Sequence, residues 1–437
     1  MADEMQSADR PRRRGPHGHP LLVVVALAVA TAVAVAACGS DDDTGGEAAT
    51  STTAAGTTSE SGPALDAAAI TDTVDGLVTE LQVPGAVVLV RKGDDEVLEA
   101  FGTRSLDGDD VTVDDHFRVG SNTKTWTGTV LLQLVDEGLV ALDDPIADTL
   151  PDVPGGDDIT VAQLLDMRSG LFNYSELLSF NQAMDDEPGR AWEPEELVAI
   201  GVAEEPYFAP GEGFHYSNTN TVLAGLLIEE LTGNPLADEF EARIFEPLGL
   251  ERSSLPAIDD ASLPEPFAHG YLYGTNAATY QDLALPEDQR QEAEAGTLLP
   301  NDVTDLNPSW GWAAGAGIST AGDLADYVEA LVGGGLLSDE LQQERLDSLQ
   351  STDPDNPAAA GYGWALASFG PMLGHDGSMP GYQSFMGHDP ERDLTLVVLT
   401  NLQASPGGVE PANEIARTLI GLLSETSAPE DDATAPD

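Results

Sequence analysis

Apolar positions change their spacing several times along the chain, and each change marks an element. Residues 65–81 carry apolar side chains at helical intervals. Ala86-Val87-Val88-Leu89-Val90 is then an unbroken aliphatic, β-branched run from Pro84 to Arg91. A Lys92-Gly93-Asp94 turn follows it, and a second strand is expected from Glu96 to Gly102. Trp126, Val130, Leu131, Leu134 and Val135 return to helical spacing, with Gly138 as a stop, so a helix is predicted to begin near Ser121. Residues 139–250 read as mostly helical, broken at Pro and Gly. The clearest helix there runs from Thr219 to Leu231, with Val222, Leu223, Leu226, Leu227 and Leu231 on one side and Gly233 and Pro235 beyond its end. The acidic, proline-rich stretch 255–308 reads as loop, and Ala321 to Val332 as helix. Strands are predicted at 361–367, 372–376, 382–388 and 394–401, the last two joined by Asp389-Pro390-Glu391-Arg392. A last helix covers 410–423, and no internal repeat is evident. This order predicts an α/β (α+β) fold with one sheet built from both ends of the chain and a helical insert beside it.

The N-terminus has a different pattern. An arginine cluster at 10–14 precedes an apolar run, 21–37, that ends in Val35-Ala36-Ala37-Cys38-Gly39. Basic region, apolar core and small residues make a secretory signal. Small residues immediately before a Cys resemble a bacterial lipobox, in which Cys38 is acylated and becomes the new N-terminus. An uncleaved transmembrane helix is the alternative, but the run is at the short limit for a span, and Cys38 is the one cysteine of the chain. Either way the remainder is expected outside the cytoplasm, tethered to the membrane. Expected boundaries are a lipoprotein signal peptide at 1–38, a flexible linker at 39–64, a folded domain at 65–424, and a disordered acidic tail at 425–437. A single cysteine also excludes an intrachain disulfide.

Charge narrows the partners. The formal net charge is −60 over 437 residues, which repels nucleic acid and anionic lipid surfaces. Membrane contact is therefore expected only through the lipid anchor, and nucleic acid is not expected as a partner. Adaptation to high salt would explain the acidity. It predicts a melting temperature that rises with added salt, and a flat salt series would refute it.

Three segments carry candidate chemistry. Ser121-Asn122-Thr123-Lys124 places a hydroxyl and an amine one turn apart, with Cβ atoms roughly 5–6 Å from each other, where helix-start N–H groups lack partners. A serine N-cap with a solvated lysine is the plainer account. However, a capping box wants Glu or Gln at that third position, because an anion suits the positive end of the dipole. The chain also has two lysines, Lys92 and Lys124, against fifteen arginines. An amine that can lose its proton is something Arg cannot supply, and burial and the dipole both favour the neutral form. Tyr216-Ser217-Asn218 follows a Pro-Gly loop and precedes the Thr219 helix. It is either a helix cap with a packed ring or a phenol and an amide facing a cleft. Gly374-His375-Asp376-Gly377-Ser378-Met379-Pro380-Gly381 is either a bulged strand with a surface His or a strand that a ligand approaches closely.

Taken together, Ser-x-x-Lys, Tyr-x-Asn about ninety-five residues later and His-x-Gly on a late strand resemble the serine β-lactamase / D-alanyl-D-alanine carboxypeptidase family, most closely its class C-like branch with its esterases. The flanking stretches at 164–171, 208–222, 315–324 and 374–401 share the resemblance, which covers about residues 65–424. It implies a β-lactamase/DD-peptidase-like fold, an antiparallel sheet flanked by helices plus a helical insert subdomain. It also implies acyl transfer through a covalent serine. By motif, Ser121 is the nucleophile, Lys124 and Tyr216 share its proton, and Asn218 orients substrate or Lys124. His375 lines the cleft beside Gly377. The backbone N–H groups of Ser121 and Ser378 form an oxyanion hole, worth about 3–4 kcal/mol per donor in measured cases. Which of Lys124 and Tyr216 is the base stays open.

Two departures bear on substrate. Asp376 stands where penicillin-recognising members usually have Thr, and no Arg or Lys lies between Gly361 and His375. A substrate carboxylate would meet the wrong sign there, unless Arg118 or Arg168 approaches in space. An ester or amide of a small molecule or peptide is therefore expected ahead of a β-lactam or a D-alanyl-D-alanine peptide. A non-catalytic binding lipoprotein on the same fold is the alternative from another class. No G-x-S-x-G, H-E-x-x-H or Cys/His cluster is present, so no metal or other cofactor is expected.

Overall fold

The structure, a computed structural model, describes residues 65–425 apart from positions 354, 357 and 358. The expected signal peptide, Cys38, the linker 39–64 and nearly all of the tail 425–437 lie outside the described residues.

The apolar run at the start of the domain forms the centre of the sheet. Strand β1 (Gly85–Lys92) pairs antiparallel with β2 (Asp95–Gly102) through the predicted hairpin. Its other edge pairs with the last strand of the chain, β8 (Leu394–Thr400), in the register Val88↔Val398. Between them in sequence come β3 (Gln350–Ser351), β4 (Gly361–Gly363), β5 (Leu366–Phe369), β6 (Met372–Met379) and β7 (Tyr382–Asp389). The eight-stranded order is β2-β1-β8-β7-β6-β5-β4-β3, so both ends of the chain do build one sheet.

Both faces of that sheet are covered, which is why β1 reads as continuous rather than alternating hydrophobicity. Val87 and Leu89 point into a core with Trp126, Tyr327 and Leu331. Ala86, Val88 and Val90 point the other way, onto Ile70, Val74, Ile415 and Leu419. The first core belongs to helices α2 (Thr123–Asp136), α3 (Asn218–Thr232) and α4 (Ala321–Gly333), together with the helical middle of the chain. The second belongs to α1 (Ala67–Glu80) and α6 (Pro411–Glu425), which pack on each other.

Four local expectations are corrected. The predicted strand 361–367 is a hairpin, β4 and β5, which turns at Ala365 with φ +49°, a conformation that its sequence does not announce. The strand predicted to end at 376 continues to Met379. The stretch 255–308, read as loop, contains two helices, Asn276–Gln281 and Glu287–Glu294, and two paired dipeptides, Tyr271–Leu272 and Asn301–Asp302. Its second helix buries only Ala293, so an apolar stripe was never there to be read. Helix α5 (Asp339–Asp347) was not predicted at all. Ser338 caps it, and it buries Leu341, Gln342 and Arg345, a mostly polar face.

Candidate active site

Ser121 sits in a single 3-10 turn, Gly120–Asn122, that runs straight into α2. The helix therefore starts two residues later than its apolar spacing implies. Gly120 has φ +53°, and a Cβ there would lie 2.7 Å from the Ser378 nitrogen. Only glycine lets the turn lie backbone against backbone on β6. The contact is mutual: a Cβ at Gly377 would meet the Val119 carbonyl oxygen at 2.1 Å and the Ser121 nitrogen at 3.0 Å. Asn122 fastens the turn to the next strand, its Nδ2 donating to Ser384 Oγ at 2.7 Å. Two glycines thus bring the backbone at Ser121 and Ser378 close together.

This contact is possible because β6 is half-edged. Its pairing with β5 ends at Gly374, while pairing with β7 continues to Met379. From His375 onward, the open edge of β6 faces the Ser121 turn instead of a strand.

Lys124 is fully buried. Its Nζ lies 2.9 Å from Ser121 Oγ and 2.7 Å from the Ala314 carbonyl oxygen. Burial drives its pKa well below the ordinary lysine value, with the Asp376 carboxylate pulling weakly the other way. A neutral amine in this position donates an N–H to Ala314 and offers its lone pair to the Ser121 hydroxyl.

The ring of Tyr216 lies 4.8 Å from Lys124 Nζ. Burial pushes the phenol well above its usual range, and Ser121 is the one neighbour that offsets this. Even so, the hydroxyl does not reach a well-aligned hydrogen bond and is buried without one. The proximity to Ser121 and the missing bond are compatible: the phenol is next to the nucleophile but not aligned for a good hydrogen bond with it. An ammonium-lowered phenol is thus not what the surroundings produce.

The β6 wall comes next. His375 is buried, with Nδ1 2.6 Å from the Asp376 carbonyl oxygen and Nε2 3.3 Å from the Tyr362 hydroxyl. Its Nδ1–H donates to that carbonyl and its Nε2 accepts from Tyr362. Burial pushes its pKa down to about 4, so the ring is neutral at pH 7. Asp376, on the same strand, accepts from Asn413 Nδ2 at 3.0 Å. Glu410, just before α6, also accepts from Asn413, and burial next to Asp376 raises its pKa to about 7.

Asn218 makes its hydrogen bonds to the 173–175 turn and none to Lys124. Its side chain donates to Ser175 Oγ at 3.0 Å and its N–H to Asn173 Oδ1 at 3.1 Å. Lys124 is held by Ala314 instead. Asn173 also does the capping work at the start of α3, where Ser217 makes no side-chain cap. Arg118 donates to the carbonyls of Ala261 and Thr304, and Arg168 lies by Asp166 and the Phe214 ring. Neither arginine contacts Asp376. Sequence reasoning missed Ala314, Tyr362, Glu410 and Asn413. Ala314 acts through its backbone, and its one signal is the Gly/Ala-rich run 311–317, where chain segments approach closely: a Cβ at Gly317 would meet Trp126 at 2.4 Å.

A neutral amine on a helix-start serine, a phenol beside them and a glycine-lined strand edge packed against that serine's backbone are the features of a serine hydrolase of the β-lactamase/DD-peptidase type. Residues 70–419 match the Beta-lactamase family, and the chain belongs to it. Penicillin-binding protein 4 of Amycolatopsis lactamdurans is 27% identical over 378 residues, 82% of this chain and 90% of the relative. A D-stereospecific amidohydrolase from Streptomyces sp. superposes with TM-score 0.68 at 33% identity, covering 81% of this chain and 98% of its own. A D-amino acid amidase from Ochrobactrum anthropi SV3, solved with D-phenylalanine, gives TM-score 0.68 at 27% identity over 82% of this chain and 99% of its own.

Proposed function

We propose that this serine hydrolase cleaves an amide, or a related ester, through an acyl-enzyme on Ser121, and that it works outside the cytoplasm on a lipid anchor at Cys38. The observation that carries the chemistry is the 2.9 Å contact between Ser121 Oγ and an amine that burial keeps neutral. As Oγ attacks the carbonyl carbon, its proton passes to Lys124 Nζ. The oxyanion sits between the Ser121 and Ser378 N–H groups. The Lys124 ammonium then returns the proton to the leaving nitrogen or oxygen, with the Tyr216 hydroxyl as relay, and the C–N or C–O bond breaks. Deacylation repeats the cycle with water as the nucleophile and Lys124 taking its proton. Burial assigns the roles of the two candidates: it favours the uncharged form of each, so the amine is the base and the phenol remains a donor.

For the substrate, the two amide-cleaving neighbours favour an amide of a D-configured amino acid or peptide. The penicillin-binding relative supports a second reading, D-alanyl-D-alanine carboxypeptidase or β-lactamase. Asp376, and the engagement of Arg118 and Arg168 with other groups, favour the first. The anchor rests on the sequence around Cys38. Mass spectrometry of the mature N-terminus checks it, and an unmodified Cys38 would refute it.

A fluorescent phosphonate tests the nucleophile, with labelling expected in the wild type and absent in Ser121→Ala. D-phenylalanine amide, a p-nitrophenyl ester and a chromogenic β-lactam then rank the substrates. Rapid β-lactam turnover with no amide or ester cleavage would reverse the order.

A further inference from the structure

The Tyr216 hydroxyl makes no hydrogen bond of its own, so its aim depends on how its neighbours in the chain are held. Around the ring are Tyr362, edge-on at 5.9 Å, and Lys124 Nζ at 4.8 Å, contacts that pack the ring without binding its oxygen. The flanking residues are held by one short turn, Tyr174–Glu176, with Asn173 just ahead of it. On the C-terminal side of Tyr216, the Asn218 N–H donates to Asn173 Oδ1 and the Asn218 side chain to Ser175 Oγ. Ser175 Oγ donates in turn to Asn173 Oδ1 at 3.0 Å. On the N-terminal side, His215 Nε2 donates to Glu176 Oε1 at 3.0 Å. Glu176 is fixed at its other oxygen too. Oε2 accepts from the Tyr207 hydroxyl at 2.7 Å, and the Tyr207 ring stacks on the His215 ring with centroids 3.6 Å apart. Burial raises the Glu176 carboxyl, but the contacts from His215, Tyr207 and Asn173 outweigh it and leave the group below the ordinary glutamate value, an anion at neutral pH.

The same turn reaches the other catalytic segment. Tyr174 is fully buried and donates its hydroxyl to the Trp310 carbonyl at 2.6 Å. Trp310 lies four residues before Ala314, whose carbonyl holds Lys124. One turn thus grips both the segment that carries Tyr216 and the segment that holds Lys124.

Resting on the acyl-transfer reading above, we infer that the 173–176 turn sets Tyr216 in register with Lys124, and that Glu176, acting through His215, is a positioning residue for the Tyr216 proton relay. A relay works only while its oxygen is within hydrogen-bond reach of the atoms it serves, and a misplacement of about 1 Å can cost about 10²-fold. An unbonded phenol has no contact of its own to correct such a drift. The His215 and Glu176 side chains are 35% and 30% exposed. A pair that open to solvent adds little stability, so its effect is geometric.

The experiment measures kcat and KM on D-phenylalanine amide, with phosphonate labelling of Ser121 and thermal melting as controls for the fold. Glu176→Ala and His215→Ala are each expected to lower kcat about 10–100-fold, with KM, labelling and melting temperature little changed. Glu176→Gln, which keeps acceptors for His215 and Tyr207, should recover most of the loss. The deciding readout is the Tyr216→Phe background. A residue that acts only through the phenol has nothing left to position there, so Glu176→Ala should cost about twofold or less. Because Glu176→Ala can misfold, Tyr207→Phe, which removes one hydroxyl from the carboxylate, gives a second test, with a few-fold loss of kcat that also vanishes in Tyr216→Phe. Full activity in the labelled variants, a loss undiminished in Tyr216→Phe, or a rise in KM with kcat unchanged overturns the inference. Failure of the acyl-transfer reading is distinguishable, because it would show in the wild type as no labelling of Ser121 and no turnover of any amide.

Discussion

The two walls of the cleft are built on opposite principles. The α2 wall is dry. Lys124 and Tyr216 lie there without a carboxylate in hydrogen-bond contact, and burial is the largest cause that sets both to their uncharged forms. The β6 wall is half open, and behind it Asp376 and Glu410 share Asn413. The first wall prepares a proton acceptor, which needs a low dielectric. The second gives access along its free strand edge. A lysine on the open wall would be an ammonium, and an aspartate on the dry wall would neutralise the contrast by recharging Lys124.

Several experiments would break or sharpen that contrast. The largest effect is expected from Ser121→Ala, which removes the nucleophile that both walls serve. By analogy with other serine enzymes it should lower kcat by about 10⁶-fold, measured by single-turnover hydrolysis. Lys124→Met should lower kcat by roughly 10²–10⁴-fold and yet raise the melting temperature at pH 7. Below pH 10.5, the ordinary lysine value, the unfolded chain binds a proton that the buried amine refuses, which favours unfolding. That penalty disappears as pH rises towards 10.5, so the stabilisation should shrink in melts at pH 10. A variant no more stable than wild type at pH 7 would mean the lysine is not held neutral. Gly377→Ala should cost about 1–3 kcal/mol by overpacking, and kcat should fall with it, because the methyl would push the Ser121 nitrogen from β6. Tyr216→Phe should reduce kcat by about 10²-fold with little change in the acid limb of the pH profile, since the phenol is a relay and not the titrating base. The smallest effect lies behind the open wall. Glu410 faces Asp376, Asn413 and Gln383. Burial holds its carboxyl neutral up to about pH 7, above the ordinary glutamate value of 4.5, so the fold loses stability as pH rises through that range, and Glu410→Gln should raise the melting temperature more at pH 8 than at pH 5.

How much of this was legible in the sequence follows the same division. The dry wall was largely readable, because burial leaves a pattern. The continuous run 86–90 gave the sheet centre, and helical spacing after Ser121 put the amine one turn from the hydroxyl. The open wall was only half readable. Asp376 stood out against the motif, but Glu410 and Asn413 reach it from the far end of the chain, and no local period links them to β6. Backbone partners were invisible: the Ala314 carbonyl that holds Lys124 has no side chain to announce it. Polar helices were missed for a related reason. Helix α5 buries Gln342 and Arg345, whose donors go to carbonyls and Thr129, so its inner face does not look apolar. The turn at Ala365 needs a backbone angle that glycine would have signalled and alanine conceals.

The pairing of the first strand with the last has a consequence for assembly. The Gly85 N–H donates to the side chain of Asn401, 316 positions away. Contacts of such long span are entropically late to form. The middle of the sheet therefore cannot close before the strand Leu394–Thr400 has been made. A chain of this design stays unlatched until then, and a premature stop anywhere before Leu394 leaves β1 with one edge bare, a sticky intermediate rather than a smaller enzyme.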